Sequence, residues 1–111
     1  MFPPQSVAVD NAQVYAVDVD GTLAAINKIT GALVWQQEAL KGRKLLAPVI
    51  WRGLVVVGDS EGYLHVFSPL DGAVRGRERA ARDPLMSVVV DAPQLLTLTV
   101  DGTLRAWDMK L

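Results

Sequence analysis

The 111-residue chain repeats itself every 40 or 41 residues, and that period limits its fold more than any other feature. Three acidic-glycine turns are each followed by an alternating segment: Asp20-Gly21-Thr22-Leu23, Glu61-Gly62-Tyr63-Leu64 and Asp101-Gly102-Thr103-Leu104, spaced 41 and 40 apart. A second marker keeps step, Thr30-Gly31-Ala32 and Asp71-Gly72-Ala73, again 41 apart. A third set of turns falls at Asp10-Asn11, Trp51-Arg52-Gly53 and Asp91-Ala92-Pro93, spaced 41 and 40. Three independent markers held in register define an array.

Between the turns lie short segments rich in Val, Ile and aromatics, the composition of strands. The first copy gives strands at Ser6–Val9, Val14–Asp18, Leu23–Ile26 and Val34–Glu38. The second gives Pro48–Ile50, Leu54–Gly58, Tyr63–Phe67 and Val74–Arg77. The third gives Ser87–Val90, Leu95–Val100 and Leu104–Trp107. No stretch of 10–12 residues carries a clean helical period, so almost no helix is expected. Gly21, Gly62 and Gly102 stand where a tight hairpin needs positive φ. A four-stranded unit of about 40 residues in tandem is the signature of a β-propeller blade. The expected fold is all-β: blades at about 5–39, 46–80 and 85–108, the last without its outer strand, in an incomplete ring. Leu23 and Ala25, Leu64 and Val66, and Leu104 and Ala106 occupy matching positions in the third strands. A period of two sets each pair on one face, against a neighbouring blade.

Composition then removes whole classes of function. The chain has no cysteine, which excludes a disulfide, a thiol nucleophile or a thiolate metal site within it. A single histidine, His65, excludes a multi-histidine metal or relay site in one chain. A formal net charge of −1 gives no electrostatic reason to expect nucleic acid. No apolar run approaches the ~18 residues of a membrane-spanning helix.

Two runs carry a family resemblance. Val14-Tyr15-Ala16, Asp20-Gly21-Thr22-Leu23-Ala24-Ala25-Ile26-Asn27 and Thr30-Gly31-Ala32-Leu33-Val34-Trp35 together resemble one PQQ-type propeller repeat, whose tryptophan docks one blade on the next. Leu54-Val55-Val56-Val57-Gly58-Asp59-Ser60-Glu61-Gly62-Tyr63-Leu64-His65 resembles the next-to-last blade of the BamB family, the lipoproteins of the outer-membrane protein assembly machinery. Asp101-Gly102-Thr103-Leu104 resembles that family's final blade. The resemblance implies the C-terminal three blades of a larger propeller. It also implies a non-enzymatic periplasmic scaffold whose lipid-bearing cysteine is not on this chain. The implied partner is the barrel-forming subunit of the machinery, bound in the family mainly by loops of earlier blades. Gly31 and Gly72 fall on the family's turn positions, and Trp35 on its docking position. In the second copy that position is Gly76, so one docking contact is expected to be lost.

Asp18, Asp20, Asp59, Glu61 and Asp101 fall one or two to a hairpin, and each carboxylate is expected to cap its turn and stay solvated. A quinone-dependent dehydrogenase remnant would need a closed ring, a calcium site and often vicinal cysteines, so no cofactor is expected. Trp107-Asp108 resembles the ending of a WD40 repeat, but the Gly-His pair of that family occurs nowhere. His65 is expected to be a half-buried spacer bonded to backbone or water. Trp35, Trp51 and Trp107 are expected to pack between blades. In a propeller, the hairpins between second and third strands share a face with the links between blades. That face would gather Asp18, Asp20, Asp59, Glu61 and Asp101 with Lys41, Arg43, Lys44, Arg79 and Arg82. A rim of both signs suits a protein partner of mixed charge. An open arc of three blades also predicts self-association through exposed faces.

Overall fold

A computed structural model describes residues 7–107. The alternating segments pair into eleven strands: β1 (Val7–Val9), β2 (Gln13–Val17), β3 (Leu23–Asn27), β4 (Leu33–Gln37), β5 (Val49–Trp51), β6 (Leu54–Gly58), β7 (Tyr63–Phe67), β8 (Val74–Arg79), β9 (Leu85–Asp91), β10 (Gln94–Thr99) and β11 (Leu104–Trp107). They form three antiparallel sheets in simple up-and-down order, β1-β2-β3-β4, β5-β6-β7-β8 and β9-β10-β11. No helix occurs among the described residues. The expected strands are all present, with ends moved by a residue or two. Ser6 of the first expected strand and Asp108 at the end of the third blade lie outside the described residues.

The first strands of the sheets lie together, β1 against β5 and β5 against β9, as strands lining a propeller axis do. Register repeats from sheet to sheet: Ala25 faces Trp35 across β3 and β4, and Val66 faces Gly76 across β7 and β8. The alternation sends one set of side chains forward to the next sheet and the other set back. Tyr15, Val17, Leu23, Ala25 and Trp35 thus meet Leu40, Val55, Val57 and Phe67 in one apolar seam. Val56, Leu64 and Val66 meet Leu85, Val88, Leu95 and Trp107 in the next.

Tryptophans fasten both seams by different means. The Trp35 indole lies on Gly72, where a Cβ would come within 2.4 Å of its ring. Its Nε1 donates to the Pro69 carbonyl at 2.9 Å, and Gln13 Nε2 donates to the same oxygen at 2.9 Å. In the second seam Gly76 offers no ring, as expected, but the docking bond is not lost. Trp51, on the inner strand, is buried and donates from Nε1 to the Pro93 carbonyl at 2.9 Å. One tryptophan replaces another because both reach the same end of the neighbouring sheet. Trp107 is also buried in this seam and donates to the Thr97 hydroxyl at 3.0 Å.

Candidate functional site

The expected shared face is present. The hairpin from β2 to β3 receives the link that follows β4: Gly42 N donates to the Asp20 carbonyl at 2.8 Å. The hairpin from β6 to β7 receives the next link, with Ala80 N and Ala81 N both donating to the Gly62 carbonyl at 2.7 and 3.1 Å. Gly62 has φ +94°, and a Cβ there would stand 2.1 Å from the Ala81 carbonyl oxygen. Glycine therefore serves two needs at this position, the left-handed backbone and the close approach of the link.

Asp18 caps its turn as expected, accepting from Asp20 N at 2.9 Å and Thr22 N at 3.0 Å. Asp20, Lys41, Lys44, Arg79 and Arg82 are exposed around the rim. Asp101 accepts from the Thr99 hydroxyl and from Thr103 N, and these bonds hold its carboxyl below the usual carboxylate range.

Asp59 departs from expectation. Its carboxylate is fully buried rather than solvated. Oδ1 accepts from Glu61 N at 2.9 Å and Tyr63 N at 3.0 Å, which is the expected turn cap. Oδ2 faces inward, 2.7 Å from His65 Nε2 and 3.1 Å from Arg43 Nη1. Arg43 extends further to Glu61 Oε2 at 3.5 Å. His65 is likewise no half-buried spacer on backbone or water: it is 3% exposed and bonded to a carboxylate. The physical reason lies in the strand period. Tyr63, His65 and Phe67 point back toward the preceding sheet, and an ionisable ring in that seam requires a polar partner. The neighbouring hairpin carboxylate supplies it, and the link supplies the cation. An ionisable residue at a seam-facing position was the available signal in the sequence.

The group balances burial against bonding. Burial raises the Asp59 pKa, but the His65 bond and the two backbone N–H groups outweigh it, leaving the carboxyl below its ordinary value. Burial lowers the His65 pKa, and the Arg43 and Arg77 charges lower it further, against the opposing pull of Asp59. His65 is thus neutral near pH 7, with Nε2–H donating to an ionised Asp59. Around Tyr63 stand three guanidinium groups: Arg43, Arg77 and Arg79 lie 5.8, 5.9 and 5.2 Å from the ring centroid. Sequence reading did not single out Tyr63 or Arg77 as part of this group. Among the described residues, no three or more His, Cys, Asp or Glu side chains converge as metal ligands would.

The comparisons with known proteins agree with the repeat. A family model described as outer membrane protein assembly factor BamB matches residues 4–110. The assembly factor BamB of Alkalilimnicola ehrlichii is 41% identical over 101 residues, covering 90% of this chain and 26% of that protein. BamB of Francisella tularensis is 43% identical over 72 residues, covering 65% of this chain and 16% of that protein. The crystal structure of BamB from Moraxella catarrhalis superposes with a TM-score of 0.87 at 27% identity, covering 94% of this chain and 32% of that one. The chain therefore spans about a quarter of the length of its first-named relative. Its three sheets are propeller blades, and the chain belongs to the BamB family of outer membrane protein assembly factors.

Proposed function

We propose that these blades, at about 5–39, 46–80 and 85–108, serve as a non-enzymatic scaffold in the assembly of outer-membrane β-barrel proteins. They would act on the periplasmic side, within a parent protein tethered by a lipid. Family membership carries this reading, because the relatives are named as outer membrane protein assembly factors. The partner is the barrel-forming subunit of the machinery, and the contact made by this part of the propeller is the mixed-charge rim. Within that rim the side chains divide into two sets. Arg43, Asp59 and Glu61 are committed to one another, whereas Lys41, Lys44 and Arg82 are exposed. A partner surface carrying acidic groups would meet the second set.

The test is a pull-down of the barrel-forming subunit by the wild-type chain and by a variant carrying Lys41→Glu, Lys44→Glu and Arg82→Glu. Binding should weaken at least several-fold in the variant and weaken with added salt in the wild type. Equal capture by both would remove the rim as the contact. Arg43 is left unchanged because reversing it would disturb the buried Asp59 as well as any interface. Self-association through open blade faces is a second, separable property of this chain.

A further inference from the structure

Where the first link crosses the second blade, the structure leaves a cavity of about 120 Å³ with apolar walls at Leu40, Phe67 and Val74. Its polar lining is entirely basic or imidazole: Arg43, His65 and Arg77. The register creates this grouping, since His65 and Arg77 are directly opposed across β7 and β8. Opposed residues on one face hold their Cβ atoms about 5 Å apart. Two groups there have no hydrogen-bond partner in the protein among the described residues. Arg77 is exposed and lies against the Tyr63 ring, and no carboxylate pairs with it among the described residues. His65 commits Nε2 to Asp59, and its Nδ1 has no protein partner among the described residues but is open to solvent rather than sealed in. Arg43, by contrast, already meets Asp59 and Glu61.

We propose that this cavity is a binding site for a single carboxylate group. The space exceeds several-fold the roughly 10–15 Å³ needed for one water, so a carboxylate fits between the walls. One of its oxygens takes N–H donors of Arg77, for which the guanidinium fork is suited. The other faces His65 Nδ1. Because Nε2–H already donates to Asp59, Nδ1 can donate only when the ring gains a proton. Carboxylate binding and protonation of His65 are therefore coupled, each favouring the other. The proposal does not depend on the reading of the exposed rim, whose side chains are different.

The single histidine supplies a direct readout. The full chain, isotopically labelled, is titrated with sodium acetate at constant ionic strength set by sodium chloride, and the His65 ring resonances are followed by NMR. A saturable shift is expected, with the His65 pKa rising by roughly half a unit or more at saturation. Arg77→Gln should abolish saturation, while Arg75→Gln, one register step away on the same strand, should leave it unchanged. Arg77→Lys keeps the charge but not the fork and should weaken binding several-fold, which decides the matter if Arg77→Gln fails to fold. A response that is linear in acetate and matched by chloride overturns the proposal, as does undiminished binding by the Arg77 variants. A parallel titration with sodium phosphate separates the sources: saturation by phosphate alone overturns the assignment to a carboxylate.

Discussion

A buried carboxylate between an imidazole and a guanidinium ties one link to one blade, and the stability of that joint follows from its parts. Asp59→Ala would leave His65 Nε2 without an acceptor and remove the inner partner of Arg43. An unsatisfied buried polar group costs about 1–3 kcal/mol, so a loss of about 2 kcal/mol is expected in urea unfolding. Alanine at Asp18, half-exposed and bonded only to its own turn, should cost less than half as much. Equal losses would mean that the buried bonds add nothing to the cap. The pH dependence has a definite sign. His65 has a lower pKa folded than unfolded, so the unfolded chain binds the extra proton first. Stability is therefore full above about pH 6.5 and falls as the pH drops below it. Asp59, also lowered, adds a further loss as the pH falls below 3.8. Urea midpoints at pH 7.5 and 5.5 should differ in the wild type, and the difference should shrink in His65→Gln. A wild-type midpoint that rises at pH 5.5 would show that Asp59 governs the ring and burial does not.

At the level of strands and turns, most of the architecture was legible because it rests on local chemistry repeated three times. Acidic-glycine turns mark each hairpin, a period of two marks each strand, and Leu23, Leu64 and Leu104 mark the same face in every copy. Strand ends moved slightly where hydrogen bonding continued past the apolar run, as in β8, whose last residues Glu78 and Arg79 still pair with Leu64 and Tyr63. What remained hidden depends on contacts distant in sequence. Trp51 taking over the docking bond could not be read from its position, because the acceptor Pro93 lies 42 residues on. The same holds for Arg43, which looks like Lys41 and Lys44 until the link is laid over the hairpin. Turn glycines that look equivalent in sequence differ for this reason too. Gly62 and Gly102 have φ of +94° and +91°, but a Cβ at Gly62 meets the link backbone while one at Gly102 meets nothing within 4 Å. Both alanine variants carry the left-handed penalty of about 1–2 kcal/mol. Gly62→Ala should cost at least about 1 kcal/mol more, through displacement of the link. Equal thermal or urea shifts for the two would mean that the link yields freely.

Across the whole molecule, each blade sends its forward face toward the next, and the third blade shows what that face is worth uncovered. Leu23 and Leu64 are fully buried by the blade in front of them, whereas Leu104 at the matching position is 65% exposed. Ser87, Val89, Leu96 and Leu98 lie beside it, forming a shallow and almost wholly apolar depression. Burying one such aliphatic side chain contributes about 1.5–3 kcal/mol, so several together favour association strongly enough to resist dilution. The face is also the forward half of a surface already built to receive a blade, with alternation and twist that match a β-sheet. The 111-residue chain should therefore form dimers or larger species as concentration rises, seen as an increasing mass in size-exclusion chromatography with light scattering. Val89→Asp together with Leu104→Asp should return it to a monomer while leaving the thermal midpoint within a few degrees, since both side chains are exposed in the single chain. A wild-type monomer at millimolar concentration would remove this face as a driver of association. Persistent oligomers in the double variant would move the contact elsewhere, to the β8 edge or to the first blade, where Val7 and Val9 are the exposed apolar residues of β1.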